Sequence, residues 1–240
     1  MRRPMMVGLF FLLGWMLAAC AGDNGTTASG KGLIPTALER TRGTAAGAPV
    51  MKASAETLRY QRPSGAPGSK LEQSVAAPVA ITWDAVQQTL AAAGFTFSEL
   101  DERTGLIVAR YGGEPRDFVD CGTIVGEDAA TGVAWREDAT APRLTLARST
   151  GDRLVTIERT LLLDARLVVQ IRPDGEGSFL QAIANYVVSK KTDAWSDPGT
   201  RYASGIESIG FSTGGSSRFA KGTECWPTGR LERLVQPASA

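Results

Sequence analysis

The stretch LLLDARLVVQIRPDGEGSFLQAIANYVVSKK, residues 161–191, decides the fold class. In its first arm Leu161, Leu163, Ala165, Leu167, Val169 and Ile171 recur at every second position, and in its second Leu180, Ala182, Ala184, Tyr186 and Val188 do the same. Side chains of a strand alternate between its two faces, so each set lines one face. The intervening PDGEG puts glycines where a tight turn needs positive φ, and the whole reads as a β-hairpin. Arms of about a dozen residues at about 3.3 Å each reach roughly 40 Å, so the hairpin must bend or twist around its core. A sheet with one apolar face also needs a cover.

Upstream, ITWDAVQQTLAAAG, residues 81–94, predicts that cover. Trp83, Val86, Leu90 and Ala93 fall on one helical face. Thr82 is the expected N-cap, Ile81 and Val86 the expected staple across it, and Gly94 the stop. Trp83 at such spacing reads as a core residue rather than a ligand platform. FTFSEL, the turn DERTG and LIVARYGG, residues 95–113, follow as a second hairpin. FVDCGTIV (118–125) and RLTLAR (143–148) read as strands, STGDR (149–153) as a turn, and TGRLERLV (228–235) as a short C-terminal helix. The expected fold class is α+β: an antiparallel sheet with a long β-hairpin, one main covering helix and a short C-terminal helix, after a disordered leader. A single domain is expected over 79–236, with a tail at 237–240.

The first 78 residues have a different composition. Arg2 and Arg3 precede an apolar run from Met5 to Leu17 that ends in LAAC at Cys20. Basic, then apolar, then small is the layout of a secretory signal, and the run is too short for a stable membrane span. LAAC resembles the lipobox of bacterial lipoproteins, which implies a signal peptide at 1–19, lipidation of the Cys20 sulfur and anchorage to a membrane. Several acyl chains make a durable anchor where one is marginal. Ala21 after the cysteine, rather than aspartate, resembles the signal for the outer membrane. Residues 20–78 are mostly Gly, Ala, Ser, Thr, Pro and scattered charge, with LIPTALER (33–40) and ETLRYQ (56–61) as faintly apolar islands. Such a stretch buries too little to offset ordering entropy and reads as a lipid-anchored flexible linker with a reach of about 40 Å.

The order W-x-x-V-x-x-x-L-x-x-x-G-F, then D-x-x-x-G-x-I-V-A-x-Y, runs from Trp83 to Tyr111. It resembles the opening helix and hairpin of the BamC-like domain in the lipoprotein of the outer-membrane β-barrel assembly machinery. The resemblance implies a small α+β domain and an assembly role at that membrane. This chain differs in holding one expected folded unit and a cysteine pair.

The chemistry is narrowed mostly by what the composition lacks. The 240 residues contain no histidine, which excludes Ser-His-Asp and Cys-His catalysis and histidine-bound metal. Lys plus Arg number 26 against 25 for Asp plus Glu, so charge makes no case for nucleic acid as a partner. Cys121 and Cys225 are the thiols left once Cys20 is lipidated. An oxidising compartment favours a disulfide between them over two unpaired buried thiols. STGGSS (212–217) lacks the lysine of a phosphate loop and reads as a solvated loop. Glu99, Asp101 and Glu102 read as solvated turn carboxylates. No cofactor and no catalytic or metal constellation is expected. The reading that results is a non-enzymatic interaction or assembly module, lipid-anchored at the outer membrane, facing the periplasm and binding an envelope protein partner. The alternative is a periplasmic glycan- or peptide-binding protein, or a carboxylate-dependent hydrolase, using aromatics such as Trp135, Trp195 and Trp226.

Overall fold

The long hairpin outruns its apolar alternation. In the computed structural model, which describes residues 51–54, 58–128, 131–150, 153–196, 200–220 and 222–236, strands are numbered in chain order. Strand β10 (Arg153–Asp174) pairs antiparallel with β11 (Gly177–Ser196) in one unbroken register, from Asp174 opposite Gly177 to Val155 opposite Ser196. Gly175, at φ 61°, opens the two-residue turn between them. The arms continue past their apolar residues because a ladder needs backbone partners, not apolar side chains.

Each arm changes its outer neighbour midway. Near the turn, β10 pairs with β5 (Leu106–Gly113), β5 with β4 (Thr96–Asp101), and β11 with β3 (Leu71–Val75). Away from the turn, β10 pairs with β9 (Arg143–Thr150), β11 with β12 (Thr200–Ser212), and β9 takes β1 (Met51–Ser54) as a parallel neighbour. The hairpin is therefore the shared spine of a forked eight-stranded sheet. Two small sheets stand apart: β2 (Arg59–Gln61), β7 (Thr123–Glu127) and β8 (Ala134–Asp138) form one. The other joins β13 (Ser217–Arg218), β14 (Glu224–Pro227) and β6 (Val119–Asp120). With two helices added, the fold is α+β.

Helix α1 (Val79–Ala92) covers the turn half of the hairpin and buries Trp83, Val86 and Leu90. Its end is as expected: Gly94 at φ 82° lets its own N–H reach the Ala91 carbonyl and the Phe95 N–H reach Leu90, each at 3.0 Å. Its beginning is not. The helix starts four residues early, after Pro78, with no side-chain cap. Thr82 is buried inside it, its hydroxyl 2.8 Å from that of Ser178 on β11. Ile81 is 61% exposed, so no staple to Val86 forms. Tertiary satisfaction of the Thr82 hydroxyl across to the sheet outweighs its local capping preference.

The upstream domain boundary also moves. Strands β1, β2 and β3 lie within the stretch expected as linker. On β3 the half-buried Leu71, Gln73 and Val75 alternate with exposed Glu72 and Ser74, and five pairs with β11 hold the strand in place. Backbone pairing at a sheet edge asks little of side-chain composition, so composition alone hid these strands. The expected signal peptide, Cys20, the linker up to residue 50 and the 237–240 tail lie outside the described residues, as do two residues of the STGDR turn.

FVDCGTIV is two strands rather than one. Gly122, at φ 76°, breaks it between β6 and β7, and its N–H donates to the Asp120 carboxylate at 2.7 Å. Helix α2 (Arg230–Arg233) follows Gly229 at φ 74°. It packs on β11, where fully buried Glu232 accepts hydrogen bonds from Tyr186 at 2.8 Å and Thr213 at 2.6 Å.

Candidate functional site

The free strand edges differ in how they are guarded. Edge strands expose unpaired N–H and C=O groups, and proteins commonly protect them with brevity, Lys, Pro or bulges. Strand β4 is six residues long, bulged between Phe97 and Glu99, and charged at Glu99 and Asp101. Strand β3 has five residues and follows a Lys70–Glu72 ion pair. By contrast β12 is 13 residues long with no Lys and no Pro. A bulge opposite Ala194 and Trp195 interrupts its start, leaving Ala203–Ser212 in regular register. Among the described residues no strand pairs with its other side. Residues 203–206 are exposed on both faces, Ile206 at 62%. The two charges on β12 are paired within its own sheet, Arg201 with Asp193 at 2.7 Å and Glu207 with Lys190 at 2.8 Å. The Lys190 ammonium also lies 4.2 Å from the Phe219 ring centre.

The chain that follows β12 helps to build a pocket of about 210 Å³ lined by Tyr60, Arg62, Arg218, Gly222, Thr223 and Glu224. Tyr60 comes from β2, Arg218 from β13 and Glu224 from β14, and the β13–β14 register sets Arg218 opposite Glu224. One oxygen of Glu224 accepts from Arg62 at 2.7 Å and from Arg218 at 3.1 Å, and the other accepts from Ser216 at 2.9 Å. Those hydrogen bonds, Arg62 first, hold the Glu224 carboxyl down at about 2. Gly222 leaves room beside the Tyr60 ring, which a Cβ there would approach to 3.5 Å. Within electrostatic reach of Tyr60 sits Arg159, only 7% exposed. It donates to the Ala141 carbonyl at 3.3 Å, its Nε has no hydrogen-bond partner among the described residues, and burial lowers its pKa to about 10.

The expected cysteine pair is present: Cys121 and Cys225 form a disulfide across 104 residues and are both fully buried. It ties β14, next to the pocket, to the junction of β6 and β7. The other candidates scatter. Trp226 and Trp83 are buried, Trp135 packs against the core, Trp195 is half-buried, and none of these four lines the pocket. Asp101 accepts from the Thr104 N–H at 3.3 Å in an exposed turn, and Thr104 chiefly lowers its pKa. Thr213 of STGGSS serves the fold, bonding Ala184 and Glu232. The pocket residues Tyr60, Arg62 and Glu224 were not singled out by sequence reasoning, nor was the buried Arg159. No local motif marks them, since Arg62 and Glu224 lie 162 residues apart.

Among the described residues no cluster of three or more His, Cys, Asp and Glu is placed to hold a metal ion, and no helix is long and apolar enough to cross a membrane. Strand edge and pocket thus belong to an α+β domain of sheet-dominated architecture. No protein-family model, no curated protein and no solved structure matches the chain.

Proposed function

We propose that this protein is a lipid-anchored, non-enzymatic interaction or assembly module of the outer membrane, held there through Cys20 and facing an envelope protein. The partner adds an extended segment to the free side of β12. The observation that carries this reading is the long edge without Lys or Pro, exposed on both faces at 203–206. Strand addition draws its affinity from just such unpaired backbone groups. The lipobox-like LAAC supports the anchor, and the likeness of residues 83–111 to BamC-like domains supports an assembly role. A tether raises the local concentration of the domain near its membrane, so a modest edge affinity suffices.

A photo-crosslinking residue at Ser204 is expected to capture an envelope protein in cells, and the same residue at Glu99 on the guarded β4 edge is not. Ile206→Lys should abolish that capture while changing stability by less than about 0.5 kcal/mol, as for exposed sites. Equal capture at both edges, or capture untouched by the lysine, overturns the strand-addition reading. Fatty-acid labelling should mark the wild type and not Cys20→Ser; equal labelling removes the anchor.

A further inference from the structure

We infer that the pocket between β2, β13 and β14 is a binding site for a phosphate group, gripped by Arg62 and Arg218 against the Tyr60 ring. This inference is independent of the strand-addition reading. It begins with a charge imbalance. Among the residues that line the pocket, Arg62 and Arg218 carry two positive charges against the one carboxylate of Glu224, which pairs with both. Two guanidinium groups against one committed carboxylate leave the lining net positive, which favours an anion.

Geometry then narrows the ligand. A guanidinium carries five N–H donors in a fixed fork. Each arginine spends one terminal nitrogen on Glu224, and both reach the same oxygen. Glu224 therefore holds two forks, one from just after β2 and one from β13, while their side chains stay 66% and 63% exposed. Each fork keeps donors that are not spent on Glu224. Two converging forks suit an anion with three acceptor oxygens better than a planar carboxylate, which one fork satisfies alone. A pocket of about 210 Å³ takes a phosphate with a short appendage and is smaller than the sites of drug-sized ligands. A metal cation is disfavoured, since the only carboxylate present already accepts from both arginines.

The same phosphate chemistry occurs in a soluble phosphate ester and in a lipid headgroup, so the test has an arm for each. The probes are inorganic phosphate and phosphatidylcholine vesicles doped with phosphatidic acid, added to full chain carrying Cys20→Ser. The readout is the side-chain Nε–H resonances of arginine in the wild type and the backbone N–H resonances of Gly222 and Thr223, which line the pocket, in every variant, with acetate and chloride at matched ionic strength as comparison. Saturable phosphate shifts at Arg62 and Arg218, stronger than with acetate, are expected. The double variant Arg62→Ala/Arg218→Ala should weaken binding about tenfold or more, the effect of losing a hydrogen bond to a charged group. Arg62→Lys with Arg218→Lys keeps charge and fold but not the forks, and should also weaken it; Arg110→Ala, which removes an exposed arginine elsewhere, should not. A response to the doped vesicles as well assigns the phosphate to a lipid headgroup, and a response to inorganic phosphate alone assigns it to a soluble ester. Shifts that rise linearly and are matched by chloride, acetate binding as tightly as phosphate, or unchanged binding in the lysine variant would overturn the inference.

Discussion

The two halves of the long hairpin are built differently. Near its turn the spine is flanked and roofed by one nearly contiguous stretch, residues 71–113, which supplies β3, α1, β4 and β5 in succession. Away from the turn the roof comes from scattered segments: Leu58 and Tyr60, the chain from Phe118 to Ala141, and the chain from Ser217 to Val235. The turn half is held by apolar burial, with Leu90, Ile107, Leu167 and Leu180 fully buried. The far half has its own apolar burial, with Ile124, Val188 and Phe219 almost fully buried, and adds to it a cross-link and the buried polar groups of Arg159 and Glu232. The two halves share one apolar core, but the half roofed by scattered chain also carries the staple, an open edge and a charged pocket. The far half is where binding is proposed, which accords with function being drawn from the less stable parts of a fold.

The strongest way to break this contrast is to remove the staple. Cys121→Ala together with Cys225→Ala releases a loop of about a hundred residues, worth about 4–5 kcal/mol in the chain-entropy account. The loss should fall unevenly. Amide hydrogen exchange is expected to speed up at Ile124, Phe219 and Trp226 while Leu90 and Ile107 keep their protection. Uniform loss across both halves would show one cooperative unit and end the comparison.

A second, smaller effect sharpens it. Leu167→Ala in the turn half opens a cavity under α1 and should cost about 3–4 kcal/mol. Ile157→Ala, on the same face of β10 but only partly buried in the far half, should cost about half as much. Urea unfolding monitored by tryptophan fluorescence reads both. Equal losses would mean that the far half packs as tightly as the near one.

The same division explains what the sequence makes legible. Alternation along residues 161–171 and 180–188 marks the spine, because one face of each strand meets the core. The 3.6-residue spacing of Trp83, Val86 and Leu90 marks α1 for the same reason, and Gly94 and Gly105 mark their turns through positive φ. At Gly105 a Cβ would also collide with the Ile171 carbonyl oxygen. What stays hidden is everything decided by long-range partners. Thr82 looks like a cap and is instead a hydrogen-bond partner of Ser178. Strands β1 to β3 look like linker because they lie at sheet edges or on a small sheet. The arginine pocket joins residues 60, 62, 218 and 224, which share no periodicity. The cysteine pair is the exception, since scarcity of thiols makes a long-range contact readable.

The smallest expected effect tests whether Glu224 organises the pocket. Its carboxyl is held at about 2, below the ordinary 4.5, by hydrogen bonds from Arg62, Arg218 and Ser216. A carboxylate whose folded pKa is depressed binds its proton first in the unfolded chain. The stability it contributes is therefore fully present above about pH 4.5 and is lost as pH falls towards about 2. Asp193, Glu207, Glu72 and Asp101 are lowered too, so the wild-type acid limb alone is not diagnostic. The difference between wild type and Glu224→Gln is. At low salt the wild type should be slightly more stable at pH 7, and the gap should close between pH 4.5 and 2. Because both arginines are mostly exposed, high salt should shrink the gap at every pH. A gap that stays constant from pH 7 to pH 2 would mean that Glu224 acts through packing, and that the two guanidinium groups are not held in place by its charge.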